Sequence, residues 1–102
     1  MSAMYINKEN FHEEVLQSEK PVLLDFFANW CGPCRMVLPV LDEIARERDD
    51  VKVCKVNIDE HPELAYQYQV RTIPTLMVLR DGEIVSRSSG AKPKGKILEM
   101  LN

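Results

Sequence analysis

Apolar positions along this chain follow two periods. Val22-Leu23-Leu24-Asp25-Phe26-Phe27 is a short, nearly continuous apolar run and reads as a buried strand. Met4-Tyr5-Ile6, Val51–Ile58 and Thr75–Arg80 also read as strands. Glu83–Ser89 follows across Asp81-Gly82, a pair suited to a two-residue hairpin turn. Helical spacing takes over between these runs. Asn7 suits the N-cap of a helix reaching about Gln17, with Phe11 and Val15 one turn apart on its inner face. From Cys34 to about Arg48, a single stripe holds Val37, Leu38, Leu41, Ile44 and Ala45. Pro39 lies within that stripe; it has no N–H for the carbonyl of Arg35, so a kink is expected there. Pro62 suits the first position of a short helix through Tyr68, and a last helix runs from about Lys94 to Leu101.

The element order is βαβαβαββα. Its first part needs parallel crossovers and its end is an antiparallel hairpin. The expected fold class is therefore α/β, with a central mixed five-stranded sheet flanked by four helices.

Length and composition narrow the function. A chain of 102 residues reads as a single domain, here 1–102, large enough for a core without metals or a disulfide framework. A formal charge of −3 argues against a general nucleic-acid or membrane-surface binder, which needs a basic face. No apolar stretch approaches the ~20 residues of a membrane helix. Met1 to Phe11 has no basic stretch followed by an apolar one, so no secretion signal is expected. The cysteines number three, an odd count that does not read as a structural framework.

Candidate chemistry concentrates in Trp30-Cys31-Gly32-Pro33-Cys34, between the apolar run and the helical stripe. Cysteines three apart at a helix start lie on one face, where their sulfurs can bond. The first sulfur should face solvent, unpaired backbone N–H groups and the positive end of the helix dipole, all of which favour thiolate. Cys31 is thus the candidate nucleophile, and Cys34, deeper in the first turn, the resolving thiol. Half of a zinc site is the alternative. Zinc takes four ligands, and Cys54, His12 and His61 show no matching spacing. Gly32 allows close approach of a partner backbone, and Pro33 stiffens the loop. Both could equally serve a plain strand-to-helix turn. Trp30 either contacts partners beside the loop or belongs to the core. Asp25 interrupts its apolar strand on the face of Leu23 and Phe27; Lys55 does the same on the face of Val51 and Val53. From pattern alone the two are either a buried pair or two solvated strand-edge charges. Cys54 reads as a small buried apolar residue, and His61 as a helix cap or surface residue.

The stretch Phe26–Cys34 resembles the active site of the thioredoxin family. The resemblance continues through Asn57-Ile58-Asp59, Ile73-Pro74-Thr75, Asp81-Gly82-Glu83 and Ser89-Gly90-Ala91, covering nearly the whole chain in the family's order. It implies the thioredoxin fold. It implies that Cys31 attacks a substrate disulfide and that Cys34 resolves the mixed disulfide. Asp25 and Lys55 would lie beneath the cysteines, with Asp25 exchanging a proton with Cys34. Gly32 and Pro33 would tune the redox poise, and Pro33 favours a reductant. Pro74 is predicted trans by sequence alone, and only the resemblance makes Ile73-Pro74 cis. Ile73, Pro74, Gly90 and Trp30 would then form the surface that binds substrate, with Ile73 pairing to an extended client segment. Two positions depart from the family pattern: Phe27 replaces a frequent second Trp, and Ser89 replaces an apolar residue before the glycine.

The function expected is that of a cytoplasmic thiol–disulfide oxidoreductase that reduces protein disulfides. It would be a monomer with no bound cofactor or metal, using its reversible Cys31–Cys34 disulfide. Its partners would be disulfide-containing client proteins and a separate thioredoxin reductase, linked to NADPH or ferredoxin. An oxidase or isomerase on the same fold is one rival. A redox-gated binding module or subunit of a larger complex is the other.

Overall fold

A computed structural model describes residues 2–102. The sheet has five strands: β1 (Met4–Tyr5), β2 (Val22–Phe27), β3 (Lys52–Asn57), β4 (Thr75–Arg80) and β5 (Glu83–Ser89). Their spatial order is β1-β3-β2-β4-β5. β1 and β2 pair parallel to β3, whereas β2 with β4 and β4 with β5 pair antiparallel. The helices are α1 (Gly32–Glu47), α2 (Pro62–Gln67), α3 (Lys94–Met100) and a π-helical segment, His12–Leu16. This is the mixed sheet and helix set of the thioredoxin fold.

β2 is central, and every one of its residues is buried. Alternate side chains serve opposite faces. Leu23 joins Val37, Leu41, Ile44 and Ile97 beneath α1 and α3, while Val22, Leu24 and Phe26 pack with Phe11, Val15 and Leu64 on the other face. Each such large side chain contributes roughly 1.5–3 kcal/mol on leaving water. The hairpin between β4 and β5 turns at Asp81 and Gly82, both with positive φ, +52° and +79°. That combination matches the twist of the flanking strands.

Two local expectations are corrected. The helix expected from Asn7 shrinks to the π-helical segment, where the Gln17 N–H donates to the His12 carbonyl. Asn7 still closes its approach: Asn7 and Asn10 each donate a backbone N–H to the other's side-chain oxygen at 2.8 Å. α1 begins two residues before Cys34, because Cys31 itself takes the N-cap position. α1 holds Pro39 inside it, as the apolar stripe implied.

The topology brings distant segments to one end of the sheet. β2, β3 and β5 finish there, and antiparallel β4 begins there. Phe27 pairs with Asn57, Phe26 with Thr75, and Thr75 with Ser89. Four loops separated by up to some sixty residues therefore meet.

Candidate active site

The loop leaving β2 carries the two cysteines. The Cys31 N–H donates to the Ala28 carbonyl at 3.2 Å, folding the chain into α1. Cys31 has extended backbone angles as N-cap, and its Sγ accepts the Cys34 N–H at 3.2 Å. Pro33 is tolerated in the first turn because the missing N–H would have had no intrahelical partner. No acidic side chain lies in that turn to offset the helix dipole. Cys31 and Cys34 form a disulfide with Cα atoms 5.3 Å apart. Cys34 is fully buried, and Cys31 is only 4% exposed. The sulfur of Cys31 is therefore less open than its position before the helix suggests, because the loop packs against Phe27, Ala28 and Ile73.

The other loops close around this pair. The Ile73–Pro74 peptide bond is cis, and the Ile73 carbonyl lies 3.8 Å from Cys31 Sγ. The oxidised sulfur has no proton, so this is a packing contact. The Gly90 N–H donates to the Pro74 carbonyl at 2.8 Å, and Gly90 has φ +88°. A methyl group at Gly90 or Gly32 would meet nothing within 4 Å. Gly90 is needed for its backbone angle, and at both positions the space above is left open.

Trp30 is 66% exposed, which excludes the core alternative. Its indole Nε1 donates to Asp59 Oδ2 at 2.8 Å. Asp59 is itself held by Asn57, whose buried Oδ1 accepts the N–H groups of Asp59 and Glu60. Sequence reading assigned Asn57 and Asp59 no role. A polar Asn at the end of an apolar strand, two residues before an Asp, was the available signal.

Asp25 sits behind the disulfide on the α1 face, between Leu23 and Phe27 along β2; Phe27 packs with Cys31 and Cys34. It is fully buried, and neither carboxyl oxygen has a hydrogen-bond partner among the described residues. Burial pushes its pKa up to about 7; the nearby Lys55 charge opposes the rise but does not cancel it. Lys55 is directly opposite Asp25 across β2 and β3, as the strand pattern suggested. The expected pairing does not form, however. Lys55 makes no ion pair with Asp25, and its Nζ sits 4.3 Å from the centroid of the Tyr5 ring. Lys55 is 8% exposed, so neither charge is a solvated strand-edge group.

Cys54 is buried on β3 in the opposite layer, and burial pushes its thiol up to about 12. His61 holds the N-cap position of α2 without a side-chain capping bond. Among the described residues, no three His, Cys, Asp or Glu side chains are grouped to hold a metal ion. No described helix is long and apolar enough to cross a membrane.

With Cys31 and Cys34 joined at the N-terminus of α1 and a cis-proline loop packed against Cys31, the site can exchange its disulfide with that of another molecule, which is the chemistry of a thiol–disulfide oxidoreductase. Comparison with known proteins agrees. The family model described as Thioredoxin matches residues 2–102. "Thioredoxin 1" of Synechococcus elongatus is 52% identical over 101 residues, spanning 98% of this chain and 94% of the relative. "Thioredoxin" of Pyropia yezoensis is 48% identical over 103 residues, spanning 100% and 96%. "Thioredoxin" of Rickettsia prowazekii is 44% identical over 98 residues, spanning 95% and 93%. The chain belongs to the thioredoxin family. It is a thiol–disulfide oxidoreductase, active as a protein-disulfide reductase through its CxxC pair.

Proposed function

We propose that Cys31 and Cys34 act in a fixed order on protein clients. The Cys31 thiolate attacks one sulfur of a client disulfide. A mixed disulfide forms, and the client's other sulfur leaves as a thiolate. Cys34 then loses its proton to Asp25 and attacks Cys31 Sγ. The Cys31–Cys34 disulfide re-forms, and the client departs with two thiols and two electrons gained. The observation that carries this order is Cys31 at the N-cap of α1 with Cys34 one turn inside. The helix N-terminus stabilises the first thiolate, and deeper burial makes the second thiol dependent on a nearby base.

Asp25 suits that task because a carboxyl titrating near 7 both accepts and returns a proton at neutral pH. Lys55 would limit the rise of its pKa without pairing to it. Gly32, with open space above it, and Pro33, with no N–H, would shape the approach of the client. Trp30, Ile73, Pro74 and Gly90 would line the docking surface, with the Ile73 backbone pairing to an extended client strand. Ser89, exposed at the end of β5, makes that surface more polar.

We further assign the chain to a reducing compartment, the cytoplasm. There it would work as a monomer, recharged by a separate thioredoxin reductase. A free Cys54 alongside a reversible pair fits that setting. The direct test is reduction of a protein disulfide substrate with dithiothreitol as electron donor. Wild type should accelerate it, and Cys31→Ser/Cys34→Ser should not. A partner whose function survives the double substitution would instead mark the chain as a binding module.

A further inference from the structure

Lys55 lies between two groups that compete for its ammonium. On β2 its register partner is Asp25; on β1 its register partner is Tyr5. Register partners in parallel strands point to the same side of the sheet, about 4.8 Å apart. Tyr5, Lys55 and Asp25 therefore form one row. Within it the ammonium has turned to the aromatic face, 4.3 Å from the ring centroid. The buried carboxyl group on the other side has no hydrogen-bond partner among the described residues. A ring face attracts a cation through its quadrupole, most strongly where water is excluded, and Lys55 is nearly covered.

We propose that Tyr5 is a positioning residue for the proton step: its ring holds the Lys55 ammonium off Asp25, so that the carboxyl stays unpaired. The proposal deepens, and rests on, the reading of Asp25 as proton carrier for Cys34. The remaining surroundings of Asp25 leave Lys55 as the charge that matters. Its β4 register partner is Leu76, and the buried side chains of α1 and α3 are Cys34, Val37, Leu41, Ile44, Ala45 and Ile97, none of them charged. Contact between an ammonium and a carboxylate lowers the carboxyl pKa by about 1–3 units. A Lys55 head released from the ring would thus take the proton-carrying range of Asp25 away from neutral pH.

Tyr5 is 63% exposed, so its replacement does not empty the core. The test is an NMR titration of the Asp25 carboxyl carbon in the oxidised full-length protein. Tyr5→Leu should lower the midpoint by about one unit or more, toward the paired value. Tyr5→Phe keeps the ring face and should titrate like wild type. In a Lys55→Met background, Tyr5→Leu should move the midpoint no further. An unchanged or raised midpoint in Tyr5→Leu would overturn the proposal, as would an equal shift in the Lys55→Met background. The proton-carrier reading is judged separately. If Asp25→Asn leaves the pH profile of turnover unmoved, that reading fails while the titration still decides the role of Tyr5.

Discussion

Asp25 and Lys55 face each other across two central parallel strands, yet they are not an ion pair. The relationship has an energetic consequence. The folded pKa of Asp25, about 7, lies well above the unfolded value near 3.8. Below the unfolded value the group is protonated in both states and carries no penalty. As pH rises, the unfolded chain ionises first, and folding loses about 1.4 kcal/mol per pH unit until the folded pKa is passed.

Asp25→Asn removes that penalty. The variant should be more stable than wild type at pH 7–8, by a few kcal/mol at most, and little changed near pH 4. Urea melts of the oxidised protein at both pH values measure this. Turnover should fall at the same time if Cys34 passes its proton to Asp25 as proposed. Destabilisation at pH 7 with full activity would mark Asp25 as a purely structural charge.

Cys54 should be the inert thiol of the three. With its pKa pushed up to about 12, its thiolate fraction at pH 7 is on the order of 10⁻⁵. In the reduced native protein, iodoacetamide should label Cys31 first and Cys54 last, as read by peptide mapping. Equal labelling of Cys31 and Cys54 would remove Cys31 from its role.

Cys34→Ser should keep the first attack and block the second. Mixed disulfides through Cys31 should accumulate with client proteins and disappear on adding dithiothreitol. Equal trapping by Cys31→Ser would reverse the two assignments.

The Trp30–Asp59 hydrogen bond should matter to turnover more than to folding, since both residues are exposed. Asp59→Ala should lower the reduction rate roughly 2–10-fold, the scale of one ordinary net hydrogen bond of about 0.5–1.5 kcal/mol. Asp59→Asn keeps an acceptor for the indole and should recover most of the rate. Tryptophan fluorescence, with Trp30 the only indole, reports the release directly.

Two glycines with positive φ should respond differently to alanine. A methyl group at Gly82 would lie 3.0 Å from the Leu16 carbonyl oxygen, whereas at Gly90 it meets nothing within 4 Å. Gly90→Ala should cost only the backbone strain, roughly 1–3 kcal/mol, and Gly82→Ala more than that. Denaturant melts rank the two.

Much of this was legible in the residues themselves. The strand run before Trp30, the Gly-Pro break and the stripe after Cys34 are local signals, and a helix start needs nothing from elsewhere in the chain. The Asp81-Gly82 hairpin is local in the same way, because positive φ at both positions is a property of the turn. Strand and helix order then implied a mixed sheet, since parallel neighbours require crossovers. Periodicity put Asp25 with Leu23 and Phe27 and Lys55 with Val51 and Val53, and left open whether the two charges are buried together. What periodicity does not contain is competition between neighbours. Lys55 turns to Tyr5 because β1 pairs on its far side, which depends on register between strands about fifty residues apart. Trp30 stands out from the core because Asp59 holds its indole, and Asp59 is placed by the end of a different strand. Sequence alone predicts the trans form at Pro74, and the cis bond belongs to the packed loop beside Cys31. The sequence by itself determined the redox pair and its helix, which are set by a few adjacent residues. Only the tertiary structure decided what surrounds that pair, because burial and charge are set by side chains that the fold, not the chain order, makes neighbours.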